Sequence, residues 1–177
     1  MIGEDLGTVP PGTRTELRRR HVLSYRLLWF ENSRPEDYPA QALAAVTTHD
    51  LFTIAGLWTG SDLQAQENLG LHPNREGMEV IRRKMARLTG TKPQEPVENV
   101  ILKVHRALKR APSRFLAATL DDVLGVEKRP NMPGTTTEWP NWRLALPKTL
   151  EEIRSHHVTK EVAEVLARPP AQTEPGS

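Results

Sequence analysis

The chain has 177 residues, 37% of them hydrophobic, which is enough for one domain with a core of its own. Lys and Arg outnumber Asp and Glu by only 24 to 22, so despite a pI of about 9.1 there is no broad positive field to argue for a nucleic-acid partner. Cysteine is absent, which excludes a disulfide framework and any thiolate-bound metal.

The first seven residues, Met1-Ile2-Gly3-Glu4-Asp5-Leu6-Gly7, read as the end of a strand that delivers an acid into the turn at Pro10-Pro11-Gly12. Adjacent carboxylates on an extended backbone point to opposite faces, so at most one enters a given pocket, and Glu4 is taken as that one. From these residues alone a charged turn is the first account. Thr13 with Glu16 has the spacing of a capping box and opens a short helix with Leu17 facing inward, while Arg18-Arg19-Arg20 forms its solvated end. Residues 24–30, SYRLLWF, form a buried strand whose Arg26 is expected to pair with a carboxylate. A polar, Pro-punctuated loop runs from Glu31 to Pro39, followed by a second strand at Ala42–Thr48 that ends at His49-Asp50.

A helix is expected over Leu51–Trp58, and a more polar helical stretch from Ser61 carries Met78, Ile81, Met85 and Leu88 at spacings of three and four. Gly90 to Pro96 interrupts it. Val97, Val100, Ile101, Val104 and Leu108 then define an amphipathic helix over residues 96–110. Phe115–Leu120 reads as a third strand, closed by a second acid pair, Asp121-Asp122. A dense polar and aromatic loop follows, NMPGTTTEWPNWR at 131–143, and helix returns over Thr149–Leu166 behind a Thr149…Glu152 capping box. Residues 1–167 are read as one domain, and 168–177, rich in Pro, as a disordered tail.

The alternation of strands and helices indicates an α/β protein with parallel strands, of which three are complete and a fourth is present only as its last residues. Polar or acidic residues follow the strand ends, at Glu4, Asp50 and Asp121. Pro133-Gly134 sits where a type II turn places those two residue types, which fixes backbone geometry only. The indole faces of Trp139 and Trp142 suit the apolar faces of sugar rings in a partly wet groove; Trp139 is expected in the groove and Trp142, beside Arg143, packed under the loop. An Asp after a strand equally suits a helix cap, and a nearby His a satisfied core position. No histidine spacing matches a compact metal site, and the glycines make no phosphate or dinucleotide loop, so no cofactor is expected. The N-terminus has no basic-then-apolar leader, and no apolar run approaches the ~20 residues that span a bilayer, so a cytoplasmic location without a membrane partner is expected.

Glu4-Asp5-Leu6-Gly7, Thr47-Thr48-His49-Asp50 and Asn131-Met132-Pro133-Gly134-Thr135, in this order and spacing, resemble the amylomaltase or 4-alpha-glucanotransferase family. The resemblance runs from residue 1 to about 150. It implies the C-terminal part of a (β/α)8 barrel, incomplete here, with additional helices. It implies Glu4 as acid/base, Asp50 as the carboxylate that stabilises the transition state, and His49 with Asn131, Pro133, Gly134, Thr135 and Trp139 along the substrate groove. Alpha-1,4-glucans and maltooligosaccharides are the expected partners. The family's nucleophilic aspartate, in an Arg-Ile-Asp-His type of sequence, has no counterpart, so the chain is expected to be a C-terminal piece that needs the missing N-terminal half. Two alternatives follow: a glucan-binding or partner-binding remnant without catalysis, and an alpha-amylase-like hydrolase.

Overall fold

In a computed structural model, residues 1–168 are described; the rest of the expected tail, 169–177, lies outside the described residues. Strands β1 (Ser24–Leu27), β2 (Ala42–Ala45) and β3 (Phe115–Ala117) form a parallel sheet in chain order, with Arg26 opposite Ala44 and Ala44 opposite Leu116. The expected remnant of a fourth strand is there. Ile2 bridges Leu23 in parallel, with Gly3 N donating to Leu23 O and Leu23 N to Met1 O. β2 is central, and Ala42, Ala44 and Ala45 are buried, as a strand covered on both faces requires.

Each strand is shorter than its apolar run. The chain turns at Leu28, where Phe30 N bonds Leu27 O, yet Leu28 and Trp29 stay buried in the core. Burial therefore extended the pattern beyond the hydrogen-bonded strand. Similarly Thr119, expected inside the third strand, instead caps helix α6 (Leu120–Val123) by accepting from Asp122 N.

Helices α2 (Ile54–Thr59), α3 (Ser61–Asn68), α4 (Arg75–Thr89), α5 (Val97–Leu108), α7 (Leu150–Ser155) and α8 (His157–Leu166) pack against one another, and residues of α2, α4, α5 and α8 share one core with Leu28, Ala44 and Val46. α5 is the central helix. Val100, Ile101, Val104 and Leu108 are fully buried where the 3.6-residue period places them, against α2, α4 and α8. Burial of each such side chain contributes about 1.5–3 kcal/mol. The predicted Thr149…Glu152 capping box forms, but the closing helix breaks at His156, whose extended backbone separates α7 from α8.

The box expected at Thr13 does not form. Gly12, with φ 88°, takes the cap of α1 (Thr13–Arg19), and Glu16 pairs with Arg19 and Arg20. Leu17 is half-buried, facing Gly3. At the other end Arg168, assigned by sequence to the tail, donates to the carbonyls of Ser113 and Ala111. Among the described residues no helix is long and apolar enough to cross a membrane.

Candidate active site

Parallel strands end on one edge, so Glu4, the turn after β1 and the His49-Asp50 corner after β2 share the C-terminal edge of the sheet. Asp5 turns inward and is buried. It accepts Tyr25 N at 2.7 Å on one oxygen and Arg14 Nε at 3.1 Å on the other. Glu4 is left exposed on the opposite side of the backbone, as the alternation of an extended chain requires. Tyr25 is its electrostatic neighbour: burial first, and then the Glu4 charge, push the phenol above its ordinary range. At the end of β1, Arg26 pairs with Glu31 at 3.0 Å as expected. Lys84 reaches across from α4 to the Leu28 and Glu31 carbonyls, and burial there lowers its pKa.

At β2 the backbone turns at His49, with Leu51 N bonded to Thr48 O. This turn lets two adjacent side chains reach one place, and His49 Nε2 lies 3.2 Å from Asp50 Oδ1. Asp50 caps no helix. That role belongs to Thr53, which accepts Gly56 N at the start of α2, and to Asp122, whose Oδ1 accepts Ile54 N at 2.7 Å. Asp50 Oδ1 accepts Asn131 Nδ2 at 2.8 Å, Asn131 N donates to the His49 carbonyl at 3.2 Å, and Asp50 Oδ2 has no hydrogen-bond partner among the described residues. The His49, Asp50 and Asn131 side chains thus converge, with Asp50 still half-exposed.

Pro133 and Gly134 are the exposed centre of the turn closed by Thr135 N to Met132 O, and Gly134 has φ 85°, a value L side chains rarely adopt. Asn141 braces this loop from below, accepting Met132 N at 2.8 Å and donating to Thr135 Oγ1 at 2.9 Å. The expected order of the two tryptophans is reversed. Trp139 is the packed one, only 8% exposed, with its Nε1 bound to Arg129 O at 3.1 Å and its remaining edge facing a cavity of about 420 Å³ beside α3. Trp142 is 66% exposed and lies against His49, with ring centroids 4.8 Å apart. The reversal comes from Trp142's left-handed φ of 61°, which turns the side chain outward and which no local sequence signal announces.

The sequence also gave no warning of Arg129. Its buried guanidinium donates to Asp62 through Nε at 2.7 Å and again through Nη2, to the Asp50 carbonyl through Nη1 at 2.9 Å, and lies 5.7 Å from the centre of the Phe52 ring. One side chain thereby ties α3, the Asp50 corner and the 131–142 loop together. Removing one member of such a buried pair costs about 3–5 kcal/mol. The only local hint, an acid in the first turn of α3, is common enough to carry nothing.

His49, Asp50, Asn131 and Trp142 therefore form one cluster, with Pro133, Gly134 and Thr135 on the adjoining turn. Glu4 lies two strands away along the same edge, roughly 10 Å by strand spacing. Among the described residues no group of three His, Asp or Glu is placed to hold a metal ion.

The chain is similar to known proteins over most of its length. The family model described as 4-alpha-glucanotransferase matches residues 1–150. The 4-alpha-glucanotransferase of Mycobacterium tuberculosis is 36% identical over 94% of this chain and 27% of its own length. That of Haemophilus influenzae is 29% identical over 90% of this chain and 26% of its own length. The crystal structure of amylomaltase from Corynebacterium glutamicum superposes with a TM-score of 0.82 at 28% identity, covering 96% of this chain and 29% of that one. Amylomaltase from Streptococcus agalactiae in complex with acarbose shares the fold at a TM-score of 0.62 and 19% identity, covering 93% and 30%. The chain spans about a quarter of the length of the curated relatives it matches. On the extent of the family match and the identity to these relatives, the chain belongs to the 4-alpha-glucanotransferase family.

Proposed function

We propose that this chain supplies the C-terminal part of the (β/α)8 barrel of a 4-alpha-glucanotransferase, which moves a segment of a 1,4-alpha-D-glucan to a new 4-position on an acceptor glucan or glucose. The observation that carries the reading is the convergence of His49, Asp50 and Asn131 on the same sheet edge that presents Glu4. A retaining mechanism needs a nucleophilic carboxylate and a second carboxyl group about 5–5.5 Å away that gives and then takes a proton. Glu4 is the acid/base in this reading. It protonates the leaving glycosidic oxygen and then activates the acceptor hydroxyl that attacks the glycosyl-enzyme bond.

Asp50, with one oxygen held by Asn131 and the other open, accepts sugar hydroxyls and favours the oxocarbenium-like transition state. His49, Asn131 and the turn at Pro133, Gly134 and Thr135 orient that sugar. The nucleophile comes from the portion of the relatives that this chain does not span, and the same portion closes the barrel and desolvates Glu4. Maltotriose disproportionation tests the reading. The purified, folded chain is expected to release no glucose and build no maltodextrin ladder, and addition of the remaining portion to restore both. A ladder from the chain alone would place a nucleophile within these 177 residues and overturn the division of labour.

A further inference from the structure

Trp142 combines two features that are costly together. Its φ of 61° places a bulky aromatic in the left-handed region, at the third position of the turn closed by Arg143 N to Pro140 O, where Gly or Asn is the usual occupant. A bulky residue held at such a φ stores backbone strain. It also leaves its ring 66% exposed, so little burial offsets that cost. The surroundings nevertheless hold it firmly: Trp142 N donates to Pro130 O at 3.0 Å, and the preceding Asn141 is fixed by Met132 N and Thr135.

We propose that Trp142 is a sugar-stacking platform whose outer indole face takes the apolar face of a glucose unit while His49, Asp50 and Asn131 engage hydroxyls of the same glucan chain. The proposal rests on the glucan-binding reading above and adds to it a residue and a role. The geometry carries it. His49, itself paired with Asp50, supports one side of the ring with its plane inclined at 46°, and the ring stays 66% exposed. An exposed apolar face next to an imidazole that pairs with a carboxylate, itself held by an amide, suits a pyranose, which has C–H groups on its faces and hydroxyls around its edge.

The chain allows a direct test, because Trp29, Trp58 and Trp139 are buried and Trp142 alone among the four tryptophans is exposed. Acrylamide quenching of the 177-residue chain therefore reads Trp142. Maltoheptaose at millimolar concentration is expected to lower the quenching constant at least about twofold. Trp142→Gly should abolish that response and weaken binding roughly tenfold by calorimetry, a change of about 1.4 kcal/mol. Its thermal midpoint should be unchanged or raised, since glycine accepts the left-handed φ. Trp142→Phe should retain most of the binding. Loss of stability and binding together in Trp142→Gly would make the residue a packing element and overturn the platform. Binding of maltoheptaose without protection of Trp142 would also overturn it while leaving the glucan site standing. Absence of binding by the parent chain both alone and after addition of the remaining portion would overturn the glucan-binding reading and the platform with it.

Discussion

Two acid pairs follow strands in this chain, Glu4-Asp5 and Asp121-Asp122, and in each the second member is buried. Their environments differ. Asp5 meets an arginine and a backbone amide, so both oxygens are satisfied. Among the described residues Asp122 meets the Ile54 amide on one oxygen, forms no ion pair, and its Oδ2 is buried without a partner. Burial, opposed by the bond from Ile54 and assisted by the neighbouring Asp121 charge, pushes the Asp122 carboxyl up to about 7. One sequence pattern thus gives an anchored strand end with a free glutamate at one place, and a buried helix-capping acid at the other. The lesson is that a pair of acids is defined by what meets its buried member.

The largest expected effect concerns Asp122. Its folded pKa of about 7 lies above the ~3.9 of an unfolded chain. Below about pH 4 both states hold the proton; as pH rises the unfolded chain releases it first, so stability falls until about pH 7, by about 4 kcal/mol in total. Asp122→Asn removes this dependence. Urea melts across that range should show the difference between variant and parent growing with pH in the variant's favour, and a constant difference would show that the carboxyl titrates normally.

Next comes the free member of the other pair. Glu4→Gln in the complete enzyme should lower disproportionation turnover at least about 10²-fold, the usual value of acid/base help. Asp121→Asn, off the cluster, should leave it unchanged. Turnover within a few fold for Glu4→Gln would remove the proposed role. The smallest effect is on Asp5: Asp5→Ala leaves the Tyr25 amide unpaired and should cost about 1–3 kcal/mol in chemical denaturation. Because Arg14 is half-exposed, its guanidinium returns to water without further cost. If Glu4→Gln destabilised the chain as much as Asp5→Ala, the division between anchor and free acid would fail.

Much of this architecture was legible in the residues. α5 lay within two residues of its expected ends because its apolar period was long and uninterrupted, and the remnant strand at Ile2 was read from only three residues before an acid. The two capping boxes show where such reading stops. Thr149 and Glu152 met their expectation, whereas Glu16 had Arg19 and Arg20 one turn on, and the charged partners won over the backbone amide. The strand end at His49-Asp50 was legible as an apolar run closed by polar residues. Trp142 and Arg129 were not legible. The first depends on a positive φ at a residue that gives no sign of it, and the second on a partner, Asp62, distant in sequence.

The register that pairs Leu43 with Phe115 has a kinetic consequence. β1 and β2 join across a short connection, but β2 and β3 pair only after α2 to α5 have been gathered between them, and closure of that long loop costs entropy before the sheet returns any stabilisation. His49 and Asp50 lie on the near side of the closure, Asn131 and Trp142 on the far side. The cluster of His49, Asp50, Asn131 and Trp142 is therefore a late product of folding. The Asn131 amide, bonded to the His49 carbonyl, should gain protection from hydrogen exchange only in the slowest refolding phase, after the amides within α5.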